Sequence, residues 1–270
     1  MSRGAKIATN IGVTVALLCY IVWSIVLTRQ ESEQVLLQHI NVVVQDSAVC
    51  SFVTEFEVRS AIKDSLYKLR TPLGEVSLHK VDSLLGSNPY IKSHRVFKTM
   101  DGVLCIRLRQ RAAVVHILDT LRGYDFYVDS SSTYLLQRVE GYTPKVITLH
   151  TDIDFGVKSD FIGKLDKINS KKDIDNLKKL CNFVGYIEPV GFYARFIRQI
   201  SVEQTSQGLE AQITPTIAPT TILLGTIDDA EQKLSNLELF YRRAYRYASL
   251  DSVREVDLRF NDQIVVRRGL

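Results

Sequence analysis

Hydrophobic and polar positions divide the chain into one unbroken apolar run and a long remainder in which they alternate or recur. No charged residue occurs from Ile7 to Thr28, and residues 11–27 (IGVTVALLCYIVWSIVL) are almost wholly apolar. About 20 such residues, rising about 1.5 Å each in a helix, cross a bilayer, so residues 11–28 are expected to form a transmembrane signal-anchor. Arg3 and Lys6 lie in the tail before it, residues 1–10, which the positive-inside rule keeps in the cytoplasm while the rest of the chain is exported. Tyr20 and Trp23 sit toward the far end, where aromatic rings suit the membrane interface. A cleaved signal peptide would need a shorter apolar region and small residues at A-x-A spacing, and Thr28-Arg29-Gln30 offers none.

Beyond the run, residues 39–117 predict a β-α-α-β-β module. Residues 40–44 are Val-rich and suit a half-buried strand. Thr54-Glu55-Phe56-Glu57 is a capping box, followed by Val58, Ile62 and Leu66 on one helical stripe. A second helix is expected from near Ser77, burying Leu78, Val81, Leu84 and Leu85, with Gly86 as its stop and Asn88-Pro89 beyond. Residues 91–99 and 103–114 then read as strands joined at Asp101-Gly102, a strong hairpin signal.

Residues 124–270 predict a second domain, a mixed α/β body with an antiparallel sheet that ends in a C-terminal hairpin. Strands are expected at 124–128, 134–137, 146–149, 194–202, 209–213 and 221–224. Ser170 opens a helix over 171–184 with the stripe Ile174, Leu177, Cys181 and Val184. The longest helix of this domain should start at Asp228, where Glu231 completes a capping box. It repeats Ala230, Leu234, Leu237, Tyr241, Ala244 and Ala248 on one face, with Lys233, Arg242, Arg243 and Arg246 largely off it. Finally, Val256, Leu258 and Phe260 alternate with Asp257 and Arg259, Asn261-Asp262 turns, and 263–268 returns. The fold class is α+β with a single N-terminal transmembrane helix.

Composition narrows the function by exclusion. The chain of 270 residues is 46% hydrophobic and 24% charged, and its net charge is only +4 with bases and acids intermixed, which argues against a nucleic-acid partner. Four scattered cysteines, none at C-x-x-C spacing, do not make a disulfide scaffold; at most one bridge could form among Cys50, Cys105 and Cys181, and buried free thiols are the expectation. Ser-x-x-Lys occurs at Ser60/Lys63, Ser65/Lys68 and Ser77/Lys80, a spacing used by penicillin-binding enzymes, but no K-T-G or S-D-N follows. His39, His79, His94, His116 and His150 are single, without metal-ligand spacing, and phosphate-binding loops and the nucleophile elbow are missing. No catalytic, cofactor-binding or metal residues are therefore assigned, and no small-molecule substrate. An interaction protein is the reading that remains.

The last strand in the chain is the natural candidate for an open sheet edge, to which a partner segment could add as a further strand. The order of elements, with Asn88-Pro89-Tyr90-Ile91, the run 102–113, Leu224-Gly225 and Val256-Asp257-Leu258-Arg259-Phe260, resembles the bacterial cell-division family FtsQ/DivIB. Tyr90, Gln110, Ala112-Ala113 and Phe260 depart from that family's usual Trp, Glu, Pro-containing pair and Tyr. The resemblance implies a POTRA (polypeptide-transport-associated) domain over 39–117 and a family-type β domain over 124–270. It also implies a non-enzymatic scaffold in the inner membrane at the division septum. Such a scaffold would bind an FtsB–FtsL pair through the C-terminal domain and other septal proteins through the POTRA module, regulating septal peptidoglycan synthesis. Arg259, Phe260, Ile264, Val265 and Val266 are expected to contribute most to the partner contact, with Arg259, Arg267 and Arg268 attracting an acidic segment. The alternatives are a POTRA-type substrate-capture component of a secretion or assembly system and a membrane-anchored cell-wall enzyme.

Overall fold

A computed structural model describes residues 14–24, 34–48, 50–168, 170–187, 191–216, 220–244, 253–260 and 263–268. The chain divides into two compact units, Met1–Gln110 and Arg111–Leu270. Residues 14–24 are helical (α1), and its large apolar side chains are exposed on all sides, from Ile21 at 50% to Tyr20 at 64%. No helix among the described residues is long and apolar enough to cross a membrane; the remainder of the expected span, 11–13 and 25–28, lies outside them.

The first unit builds a three-stranded sheet from β1 (His39–Val44), β2 (Ile91–Lys98) and β3 (Val103–Gln110), with β3 in the middle, parallel to β1 and antiparallel to β2. Two helices, α2 (Glu55–Ser65) and α3 (Leu78–Ser87), cover one face. Thr54 caps α2 as its sequence predicts: its hydroxyl accepts the Glu57 N–H, and the Glu57 carboxylate accepts the Thr54 N–H at 2.8 Å. Val58 and Ile62 of α2 and Val81 and Leu85 of α3 are buried, as are Ile40, Val42, Leu104, Ile106 and Leu108 of the sheet. Leu78, expected inside, is exposed, and α3 runs through Gly86 to Ser87 before the extended backbone of Asn88 ends it. Gly102 turns the β2–β3 hairpin at φ +86°, and a Cβ there would stand 2.5 Å from the Leu36 carbonyl, so only glycine fits.

Gln110 ties the loop before α2 to the sheet. Its side chain accepts the Val53 N–H at 2.7 Å and donates to the Cys50 carbonyl at 2.8 Å, while its own N–H donates to the Asp46 carboxylate. Tyr90 stacks on Phe52, their ring centroids 5.3 Å apart.

The expected long strand 103–114 breaks after Gln110. Ala113–Asp119 is a separate strand, β4, that pairs in the second unit, so the first sheet does not reach the expected boundary at 117. Arg111 marks the change: its guanidinium stacks on Tyr134 and holds the buried carboxylate of Asp129 at 3.1 Å. Burial alone would raise the Asp129 pKa, but Ser131, the N–H groups of Thr133 and Tyr134, and Arg111 together hold it below its ordinary value.

The remaining strands of the second unit are β5 (Tyr124–Asp129), β6 (Tyr134–Gln137), β7 (Ile147–Thr151), β8 (Gly163–Lys164), β9 (Ile197–Thr205), β10 (Gly208–Pro215), β11 (Thr221–Thr226), β12 (Val253–Asp257) and β13 (Val265–Arg268). With β4 they form one sheet in the order β13-β12-β11-β10-β9-β7-β4-β5-β6-β8. The expected antiparallel sheet is in fact mixed, because β4–β7, β7–β9 and β11–β12 run parallel. Each parallel pair needs a long crossover connection. Helix α4 (Lys171–Gly185) and the short α5 (Phe192–Phe196) lie within the β7–β9 connection, and α6 (Ala230–Ala244) links β11 to β12.

Leu177, Leu180 and Phe183 of α4 and Leu234, Leu237 and Tyr241 of α6 join Val115, Ile117, Ile200, Val202, Ile222 and Leu224 of the sheet in one core. A 3-10 turn, Ile227–Asp229, precedes α6 where the sequence predicts the helix start, and Asp228 pairs with Lys179 at 2.9 Å instead of capping. The Ala244 side chain, Arg246, Ala248 and the expected Asn261-Asp262 turn lie outside the described residues. All four cysteines are free.

Candidate partner-binding edge

Strand β13 ends the ten-stranded sheet. It pairs antiparallel with β12, Val256 opposite Val266 and Asp257 opposite Val265, and its other side has no strand neighbour among the described residues. A strand with one unpaired side offers backbone N–H and C=O groups to an incoming chain. The strand is shorter than the expected return over 263–268, and β12 stops at Asp257, so Leu258 to Phe260 continue as non-strand chain.

The seven residues expected to meet a partner divide into three groups. Ile264 and Val266 pack against the core, with Val265 half-buried on the opposite side of the strand. Phe260 is exposed at 49%, so its ring does not fill the core. It borders a groove of about 300 Å³ between α6 and the approach to β13, walled by Gln232, Lys233 and Asn236 and floored by Leu258, Phe260 and Ile264. The arginines form the third group, and two of them have partners within the fold.

Arg259 is not a free cation. Its Nε lies 2.9 Å from Oδ1 of Asp257 and its Nη2 2.7 Å from Oδ2, a two-pronged contact with a carboxylate that is 1% exposed. The Arg259 N–H also donates to Oδ1 of Asp257, at 3.0 Å. These donors hold the Asp257 pKa below its ordinary value, against burial, and the carboxylate in turn raises that of Arg259. Gly225 on β11 makes the path for this arginine: its φ is +71°, and a Cβ there would come within 2.7 Å of Arg259 Cγ. Arg267 Nη1 stands 3.0 Å from Glu255 Oε1, a charge contact without hydrogen-bond geometry, since that buried oxygen has no hydrogen-bond partner. Of the three arginines, only Arg268 has no ion-pair partner among the described residues.

Asp257 and Gly225 were visible in the sequence without their roles. Asp257 and Arg259 are two residues apart and so share one side of an extended chain, a spacing that could have signalled the pair. The groove wall on α6 carries no such signal, since Gln232, Lys233 and Asn236 read as an ordinary solvated face.

Several of the residues considered for chemistry hold structural places. Ser77 is the N-cap of α3, its hydroxyl accepting the Lys80 N–H, and Ser65 and Lys68 are exposed. His116 bonds Asp125 at 2.7 Å and Thr148 at 3.1 Å and stacks on Tyr127, which makes it a cross-strand latch. No group of His, Cys, Asp or Glu able to hold a metal ion occurs among the described residues.

Comparison with known families agrees with this architecture. A family model described as FtsQ/DivIB, C-terminal related, matches residues 114–266, and a POTRA-like domain model matches residues 37–109. No curated protein matches the chain.

Proposed function

The chain belongs to the FtsQ/DivIB C-terminal-related family, and from that premise we propose that it is a bitopic, non-catalytic scaffold of cell division that captures a partner strand on β13. The partner would be a chain of the FtsB–FtsL type, and the consequence would be control of septal peptidoglycan synthesis. The POTRA-like unit would meet other septal proteins. The observation that carries this reading is the position of β13 at the end of the sheet, with the exposed Phe260 ring and its groove beside it. Main-chain pairing would supply affinity, and the groove would accept an apolar side chain of the partner.

The anchor reading has its own support. A helix that exposes apolar side chains all round is not satisfied by water, and residues 14–24 lie within a charge-free run of membrane-spanning length. The N-terminus would then be cytoplasmic and both units extracytoplasmic, at the septum.

Partner pull-down with Phe260→Ala and Val265→Glu, alongside thermal unfolding, tests the edge. Phe260→Ala removes a half-exposed ring and should cost stability no more than about 0.5 kcal/mol while weakening capture. Retained capture in both variants would refute the assignment.

A further inference from the structure

The sheet of the first unit has a face that its helices do not cover. Side chains of β1, β2 and β3 that alternate away from α2 and α3 form cross-strand rows. His39 stands beside Val103, then Asn41 beside Cys105 beside Phe97, then Val43 beside Arg107 beside Arg95, and last Arg109 beside Ser93. No position of this face carries an acid. Arg95, Arg107 and Arg109 are exposed, and none has an ion-pair partner among the described residues. Val43 is 40% exposed and Phe97 and Val103 are half-buried, with the Arg107 guanidinium 5.6 Å from the Phe97 ring. A cationic surface interleaved with apolar side chains is the composition that binds an anionic headgroup layer, where apolar burial and charge attraction add.

We propose that this open sheet face docks on the surface of the bilayer that holds the chain's own apolar segment, through anionic phospholipid headgroups. The proposal rests on the anchor reading above. Only ten residues, 29–38, separate Thr28, the end of the charge-free run, from His39, the start of β1. Of these, residues 35–38 are already fastened to the first unit, where the Val35 carbonyl accepts the Leu73 N–H and the Leu37 N–H donates to the Thr71 carbonyl, so six residues, 29–34, at no more than about 3.5 Å each, reach roughly 20 Å, less than the width of a module of this size. The face is therefore held at high effective concentration against the headgroups, and each basic residue near an anionic leaflet strengthens binding roughly fivefold. A soluble acidic protein would lack that tether, which is why the membrane is the better match.

Cys105, half-exposed in the middle of the face, gives a direct readout. The full chain is reconstituted in bilayers of phosphatidylcholine alone or with phosphatidylglycerol, and labelling of each cysteine by a bulky water-soluble maleimide is followed by mass spectrometry. Cys105 labelling should slow roughly tenfold on the anionic bilayers and recover in high salt and in the triple variant Arg95→Gln/Arg107→Gln/Arg109→Gln. Buried Cys50 serves as the control for unfolding. Alkaline carbonate extraction of the same bilayers reads the anchor separately.

Equal Cys105 labelling on both lipids, in a chain that resists extraction, overturns the docking and leaves the anchor standing. Protection in a chain that carbonate removes sustains the docking and refutes the anchor. Protection that needs an added acidic protein and ignores phosphatidylglycerol overturns the proposal in favour of a protein partner.

Discussion

Replacing Gln110 by glutamate should turn a silent core contact into a pH-dependent one. The Gln110 side chain, 2% exposed, accepts one backbone N–H and donates to one backbone carbonyl. A protonated glutamic acid at this position can do both, so Gln110→Glu should match the parent near pH 4. The ionised carboxylate can only accept: it would face the Cys50 carbonyl with no proton to give, near the Asp46 carboxylate that holds the Gln110 N–H. Its folded pKa is therefore raised above the unfolded value of about 4.3. For a raised acid, the stability is fully present below the unfolded pKa and is lost as pH rises toward and through the folded one. The loss grows by about 1.4 kcal/mol per pH unit, reaching roughly 3 kcal/mol at neutrality. In a module of this size that lowers Tm by about 10–20 °C. Thermal unfolding of parent and variant, compared at each pH from 4 to 8, reads the difference. A gap that does not change with pH, or one that shrinks as pH rises, would refute the reasoning.

Two further outcomes concern the candidate edge. Gly225→Ala places a non-glycine residue at φ +71° and pushes its Cβ into Arg259, so it should cost about 1–2 kcal/mol in backbone strain, with an additional loss from the displaced arginine. Calorimetry should show a lower Tm and pull-down a weaker partner capture, while an unchanged Tm would remove Gly225 from the account. Because Asp257 and Glu255 already face Arg259 and Arg267, capture of a partner strand should fall only severalfold between low and high salt. A hundredfold fall in a salt titration of binding would restore the acidic-partner expectation.

What the sequence made legible was chemistry that acts within a few residues. The Thr54/Glu57 box, the Asp101-Gly102 turn and the Ser170 cap each satisfy neighbouring backbone groups, and all three stand where their residues predict. The stripes of α4 and α6 followed from period alone. Pairing between distant strands has no such local signature. Residues 103–114 read as one strand because both halves alternate; only Arg111, drawn to Asp129 and Tyr134 of the second unit, separates them. Parallel pairing of β11 with β12 depends on the crossover through α6, which a residue-by-residue pattern does not encode.

The same limit explains the candidate site. A partner strand was expected at the last element because terminal strands often lie at sheet ends, and β13 does. A formal count of charge at that edge treats every arginine as available, without the internal pairs of Arg259 and Arg267. Asp257 is buried by the same packing that places Arg259 over Gly225, and a buried carboxylate keeps its charge only while a cation answers it. Arg259 is thus bound by an internal demand before any partner arrives, and a chain that competed for it would leave Asp257 buried without its cation. Under the proposed function, recognition at β13 would fall to what the fold leaves unspent: the side of the strand without a neighbour among the described residues, the Phe260 ring and the groove against α6. A partner suited to this edge is therefore defined by a strand that can add in register and an apolar side chain that can enter the groove, more than by its acidity.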